Sequence, residues 1–303
     1  MAEFRIEEVP SQNGKIAIVT GANTGLGFET TKGLARTGMK VIMACRDIEK
    51  AQTAKGKILK EQPFADLEIM IVDLSRFVSI RKFAGSYLAR YKSLDLLVNN
   101  AGIMIPPYCK MEDGFESQFG VNYLSHFLLT GLLFDTLEKT PASRIVALAS
   151  NAHRNATIDF DDLNWEKRKY SPLSAYGQSK LACLVFAFEL NRRILGNGFH
   201  TKAAAAHPGV SVTELVRHIP KLVMLLGKPV TALLTHSPEK GAMPVLMAAL
   251  NPDVKGGEYY GPQGYHEWTG KPGLAKSTAL ANDEALAKRL WDISEKLTGV
   301  KYP

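Results

Sequence analysis

The chain has 303 residues, 46% of them hydrophobic, which excludes a disordered polymer and allows a sizeable core in one large domain or two small ones. Its formal charge of +7 favours anionic partners such as phosphorylated cofactors or acidic membrane surfaces, but no Lys/Arg block forms a nucleic-acid arm, so nucleic acid is not expected. The three cysteines, Cys45, Cys109 and Cys183, lie in neither disulfide nor metal-ligand spacing; no metal is expected, and a reducing, cytoplasmic setting is.

Residues 1–13 read as a polar lead-in without a signal-peptide pattern. A β-branched run over 15–20 predicts a buried parallel strand. It meets Gly21-Ala22-Asn23-Thr24-Gly25-Leu26-Gly27, and residues 28–37 continue as a helix that Gly38 stops. A strand over 41–45 ends at Arg46-Asp47, and a charged helix spans 48–61. A strand over 67–72 then ends in Asp73-Leu74-Ser75, a helix spans 78–91, and a strand over 94–98 ends in Asn99-Asn100-Ala101-Gly102. A long, mostly apolar helix over 119–137 leads to a strand over 144–149 ending at Ser150. A helix over 176–194, a strand over 201–206 ending in His207-Pro208-Gly209, a short strand at 258–260 and a helix within 277–297 complete the pattern.

Strand alternating with helix predicts one doubly wound α/β domain, a Rossmann-type parallel sheet with helices on both faces. No linker or repeat divides residues 1–303. In such sheets ligands bind beyond the carboxyl ends of the strands, where the polar groups named above fall. Gly21, Gly25 and Gly27 form such an end: glycines permit a tight turn and close approach of a phosphate, and the following helix offers free N–H groups and a positive dipole. The spacing is neither G-x-G-x-x-G nor a P-loop, and a plain strand–helix turn is the alternative. Tyr176 and Lys180, four apart, share a helix face. An ammonium beside a phenol favours the phenolate and makes a proton donor and acceptor, although a surface pair of this spacing also arises by chance.

Taken together, Thr20 to Gly27, Asp73-Leu74, Asn99 to Gly102, Asn122, Ser150, Tyr176 with Lys180, and Pro208-Gly209 with Thr213 resemble the short-chain dehydrogenase/reductase family, in the family's order. Asp161-Asp162-Leu163-Asn164-Trp165, Ser237-Pro238-Glu239-Lys240-Gly241-Ala242, and Leu290-Trp291 with Ser294-Glu295 are similar to its retinol dehydrogenase-like group and soluble relatives. The resemblance implies that Tyr176 is the acid/base, that Lys180 assists it and holds the nicotinamide ribose, that Ser150 hydrogen-bonds the substrate oxygen, and that Asn122 supports a proton-relay water. It further implies that Gly21, Asn23, Thr24, Gly25, Leu26 and Gly27 hold the pyrophosphate side, with Asp73 and Leu74 at the adenine. Asn100, Ala101 and Gly102 then line the adenine ribose side, and Pro208, Gly209, Val210 and Thr213 the nicotinamide end. Ala149 stands where many relatives have a serine, Ser125 where they have glycine, and the spacing from Ser150 to Tyr176 is longer than in many members, which makes 151–175 an insert on the substrate side.

The end of the second strand speaks to the cofactor: an acid there binds the ribose 2′-OH of NAD, an arginine the 2′-phosphate of NADP. Arg46 favours NADP, with NAD the alternative, and Asp47 is expected to cap the helix from 48. The expected function is an NADP(H)-dependent oxidoreductase, a carbonyl reductase or alcohol dehydrogenase. Its substrate is a small-molecule aldehyde, ketone or alcohol of hydrophobic character. The alternatives are a nicotinamide-binding regulatory protein without turnover and a protochlorophyllide reductase-like enzyme. The apolar segment 216–237, edged with basic residues, reads as a substrate lid, with membrane-surface contact the alternative. The apolar helices at 119–137 and 181–190 are expected in the core or, as the resemblance implies, between subunits of a homo-dimer or tetramer. His207 and His126 read as packed histidines and His153 as packed or pocket-lining; Asp161, Asp162 and Glu166 read as a solvated acidic face.

Overall fold

The computed structural model describes residues 4–210 and 235–303. Its first half is β1 (Ile16–Thr20), α1 (Gly25–Arg36), β2 (Lys40–Cys45), α2 (Ile48–Glu61), β3 (Leu67–Ile71), α3 (Phe77–Arg90) and β4 (Leu96–Asn99). A short helix α4 (Ser117–Phe119), a π-helical turn (Gly120–Leu124) and α5 (Ser125–Lys139) follow. Then come β5 (Arg144–Leu148), α6 (Pro172–Gly196), β6 (Lys202–Ala206), α7 (Pro238–Leu250), β7 (Tyr259–Pro262), β8 (Pro272–Leu274) and α8 (Glu284–Thr298). The strands form one sheet in the order β3-β2-β1-β4-β5-β6-β7-β8, parallel throughout except for β8. Strand order reverses between β1 and β4, so a crevice opens beyond their carboxyl ends.

Successive residues of each strand point to opposite faces, and both faces are covered. Ile18, Leu97, Ile145 and Ala203 enter the layer of α3, α5, α6 and α8. Ala17, Val19, Leu96, Val98 and Val146 enter the layer of α1, α2 and α7.

Helix boundaries follow local chemistry. Asp47 caps α2 as expected, accepting from the amides of Glu49 and Lys50 at 3.1 Å each. α6 begins four residues before Tyr176, because Ser171 caps the Ser174 amide and Pro172 suits the first turn. α1 starts at Gly25 rather than 28, so two loop glycines belong to its first turn. The helix expected over 119–137 is broken by the π-turn. Two elements were not expected. α7, capped by Ser237, is apolar on most of its length and shows little helical periodicity, and β8 has only three residues, Pro-Gly-Leu, at a sheet edge.

The outer faces of α5 and α6 are packed by the chain's own C-terminal segment. Trp291 lies 4.9 Å from Phe127 and 6.0 Å from Phe186, ring centre to ring centre. The Tyr302 hydroxyl donates to the Phe127 carbonyl at 3.0 Å, and a Cβ on Gly131 would sit 2.6 Å from the Tyr302 ring. The apolar surface that the sequence leaves for the core or for a partner subunit therefore meets α8. Trp291→Ala is expected to lower the unfolding free energy by about 3–5 kcal/mol, read as a shift in urea midpoint with an unchanged slope.

Candidate active site

The inner end of the cleft is built where β1 and β4 finish. Gly21 and Gly25 adopt φ of 66° and 54°, a region that side chains disfavour. A Cβ on Gly27 would lie 2.2 Å from the Gly21 carbonyl oxygen and 2.5 Å from Asn100 Nδ2, so the turn closes only with glycine there. Asn100 Nδ2 donates to the Thr20 carbonyl at 2.7 Å, and the amides of Asn100 and Ala101 both donate to Thr20 Oγ1 at 2.9 Å. Asn100 Oδ1 is buried and has no partner among the described residues. Thr24 does not cap α1 with its side chain, which leaves the first-turn amides available.

These residues line a cleft of about 420 Å³. Gly21, Asn23, Thr24, Gly25, Leu26, Gly27, Arg46, Asp73, Leu74, Asn100, Ala101 and Gly102 all border it. Asp47, engaged on α2, borders it too, beside the exposed Arg46. Lys50, one turn further along α2, adds a second cation that sequence reasoning missed. Asp73 Oδ1 accepts from the Ser75 amide and hydroxyl at 2.9 and 2.7 Å, and Ser125 donates to the Leu74 carbonyl. Burial pushes the Cys45 thiol up to about 12, so it is an inert packing group. The residues suit a dinucleotide: a glycine cradle, free helix amides, an orphaned carbonyl oxygen and two cations at the strand-end position.

The proton-transfer candidates lie at the far side of Gly102. Tyr176 and Lys180 are both buried on α6, with Lys180 Nζ 6.0 Å from the Tyr176 ring centre. Lys180 Nζ donates to the Leu148 carbonyl at the end of β5 at 2.8 Å. A Cβ on Gly102 would lie 3.6 Å from Lys180 Nζ and 3.1 Å from Asn122 Oδ1, so Gly102 is the joint between the two halves. Asn122 sits in the π-turn, a feature that often marks functional positions. Its side chain is fixed by the amide and carbonyl of Ile103 and by Ser179 Oγ. Its main-chain carbonyl faces His126 Nδ1 at 2.9 Å and Cys183 Sγ at 3.2 Å. Ser150 follows β5, and its Oγ accepts from the Ala152 amide at 3.2 Å, which leaves the hydroxyl proton free to donate.

Pro208, Gly209 and Val210 follow β6; the Gly209 amide donates to His207 Nδ1 and the Val210 amide to the Trp268 carbonyl. Thr213 and residues 216–234 of the expected lid lie outside the described residues. The 151–175 insert forms a wall. Tyr108 Oη donates to the Asn164 carbonyl, the Glu116 amide to Asn164 Oδ1, and Tyr170 Oη to Glu116 Oε1, at 3.0–3.2 Å.

Of the set-aside readings, one is decided and one changes. His153 is fully buried, its Nδ1 2.7 Å from the Ser150 carbonyl, so it braces the serine from behind rather than lining a pocket. Asp162 is no solvated acid: it is buried and accepts from the amides of Glu166, Lys167 and Arg168, because the insert folds back on it. Glu267, which sequence reasoning did not single out, binds His207 Nε2 at 3.0 Å and Arg154 at 2.7 Å. Burial pushes its carboxyl up, but the bonds from His207 and the Lys276 amide and the Arg154 charge bring it below its ordinary value.

A doubly wound sheet whose glycine turn borders a cleft, with a Tyr–Lys helix joined to that cleft through Gly102, is the framework of a nucleotide-binding oxidoreductase. The profile of the short chain dehydrogenase family matches residues 15–222, and the chain belongs to that family, in its retinol dehydrogenase-like group. It is 43% identical to human (Homo sapiens) retinol dehydrogenase 13 over 299 residues, covering 96% of this chain and 86% of that protein. It is 37% identical to human polyprenol dehydrogenase over 295 residues, covering 96% and 87%. A crystal structure of an uncharacterised protein from Mycobacterium Paratuberculosis superimposes with a TM-score of 0.82 at 36% identity, over 99% of both chains.

Two outcomes test the site's construction. Gly27→Ala is expected to abolish nucleotide binding in a fluorescence titration, since the added carbon meets backbone. His126 is pushed down from 6.5 to about 4 by burial, with the Lys180 charge acting in the same sense against the Asn122 hydrogen bond. Below pH 6.5 the unfolded chain takes up a proton that the folded chain refuses, so stability is present above that pH and falls as pH drops through about 4. His126→Gln should flatten the slope of unfolding free energy by up to about 1.4 kcal/mol per pH unit in that window.

Proposed function

We propose that the protein is an NADP(H)-dependent carbonyl reductase or alcohol dehydrogenase acting on a hydrophobic aldehyde, ketone or alcohol. The observation that carries this reading is the meeting of Lys180 and Asn122 at Gly102, which borders a cleft suited to a dinucleotide, with Tyr176 beside Lys180 on α6. A regulatory protein that only senses nucleotide needs the glycine cradle but not these groups, and the protochlorophyllide alternative has no support from the relatives. The names retinol dehydrogenase and polyprenol dehydrogenase denote activity on long apolar alcohols, and this supports a hydrophobic substrate. The three cysteines are free thiols, in keeping with the cytoplasmic setting we propose.

In this reading the first turn of α1 holds the pyrophosphate, Asp73 and Leu74 the adenine, and Asn100 to Gly102 the ribose beside it. Arg46 and Lys50 face the 2′-phosphate. Lys180 and Tyr176 would hold the nicotinamide ribose, with Pro208 to Val210 at the ring. The bound nucleotide supplies or accepts the hydride. In the reducing direction the substrate oxygen gains negative charge, and the hydroxyls of Ser150 and Tyr176 donate to it where that charge develops. Tyr176 then yields its proton to the oxygen, and the Lys180 ammonium stabilises the phenolate left behind. The reverse path takes a proton from an alcohol.

Tyr176→Phe is expected to lower NADPH-dependent reduction about 10²–10⁴-fold across a panel of carbonyls graded by size and polarity, with NADPH binding retained; equal rates in the two proteins remove Tyr176 from its role. Arg46→Ala is expected to weaken NADPH about tenfold or more and leave NADH unchanged, in parallel titrations.

A further inference from the structure

The loop between β7 and β8 carries a carboxylate that the mechanism above does not use. Glu267 and its neighbour His266 hold left-handed backbone, φ 57° and 48°, which side chains adopt only when surrounding contacts enforce it. The contacts are specific. Glu267 Oε2 receives His207 Nε2 at 3.0 Å and Arg154 at 2.7 Å, and Oε1 receives the Lys276 amide at 3.0 Å. The Glu267 carbonyl accepts from Asn151 Nδ2 at 3.2 Å. The side chain is 12% exposed, so these charge-assisted bonds form in a largely dry place.

The partners belong to opposite halves of the site. Asn151 and Arg154 form the 3₁₀ turn directly after Ser150. His207 begins the loop on the nicotinamide side. The Gly209 amide donates to His207 Nδ1 at 3.2 Å, so the imidazole proton is on Nε2, where the carboxylate accepts it. The carboxylate thus fixes the tautomer that holds Gly209. The next backbone unit repeats the tie, as the Trp268 carbonyl accepts from the Val210 amide at 2.8 Å.

We propose that Glu267 is a positioning residue that sets the Ser150 turn and the Pro208–Val210 loop in one register, so that the substrate side and the nicotinamide side of the cleft are aligned by a single carboxylate. The role rests on the reductase reading above, but the tie itself is a property of the protein without ligand and is tested separately. Glutamine is a poor substitute: its single oxygen, in the place of Oε2, would meet His207 and Arg154 without the charge that makes these bonds strong, and its nitrogen would face the Lys276 amide, donor against donor.

The test compares Glu267→Gln, Arg154→Met and Glu138→Gln with wild type. Glu138 is a matched control: it accepts from the amides of His200 and Thr201 and from the Thr201 hydroxyl, at the other end of β6. In amide hydrogen exchange of the ligand-free chain, Glu267→Gln is expected to speed exchange about tenfold or more in both 151–156 and 207–210, with residues 21–27 unchanged. Arg154→Met should loosen 151–156 alone, and Glu138→Gln neither segment. In titration and kinetics, Glu267→Gln should raise both the NADPH Kd and the carbonyl KM, and Glu138→Gln neither. Exchange confined to 264–276, or the same changes in Glu138→Gln, overturns the proposal. Wild type that neither binds NADPH nor reduces carbonyls overturns the reductase reading instead, and leaves the exchange result to decide the tie.

Discussion

The hydroxyl of Thr20 is the joint on which the cleft hangs. It accepts the amide protons of Asn100 and Ala101, and its own proton goes to His126 Nε2 at 2.9 Å in preference to the Val98 carbonyl at 3.3 Å. His126 then has its remaining proton on Nδ1, facing the Asn122 carbonyl. One unbroken series of bonds runs from the glycine turn, through the end of β4, to the π-turn that carries Asn122. Thr20, Asn100, Asn122 and His126 are buried and Ala101 is half-buried, so losing the Thr20 hydroxyl or the His126 ring leaves desolvated partners, at a cost of about 1–3 kcal/mol each. The glycine turn and the π-turn that carries Asn122 are thereby parts of one bonded unit, and His126, read from sequence as merely packed, lies at its centre.

What the sequence made legible is what local pattern encodes. β1, β2 and β4 are apolar runs ending in turn residues, and their order alone leads to a parallel sheet with its polar groups at one edge. Asp47 as a cap follows from its place before a helical run. The π-turn does not follow, because an apolar helix over 119–137 has no local reason to loosen; the bonds from Asn122 to Ile103 and Ser179 supply it. Asp162 is misread for a related reason. An acid in a polar segment looks solvated until 166–168 fold back and place their amides around it. Glu267 is beyond reach altogether, since its partners come from separate stretches of chain and none of them carries a motif.

The substrate side combines a preformed wall with a tie across the site. The insert is zipped to the 103–118 segment through Asn164, Tyr170 and Glu116, and Arg168 lies 3.7 Å over the Trp165 ring. Holding these groups before ligand arrives removes part of the ordering cost of binding. Glu267 does the same on the other side, between the Ser150 turn and the loop after β6. The insert and the C-terminal loop are thus fixed by side-chain bonds to the rest of the chain, while Tyr176 and Lys180 stand on a regular helix, α6.

The cap on α2 has a bearing on how readily such a protein changes nucleotide. Asp47 stands beside Arg46 at the rim of the cleft, which Asp73 also borders. Its Oδ1 accepts from two amides of the first helical turn and its Oδ2 lies 3.5 Å from Lys50 Nζ, so turning it toward a ribose would give up both the cap and the pairing with Lys50. On the NADP reading proposed above, deleting Arg46 leaves a neighbour already committed to its helix, and an acid for a ribose hydroxyl would have to be built elsewhere, for example at the buried end of β2 in the place of Cys45.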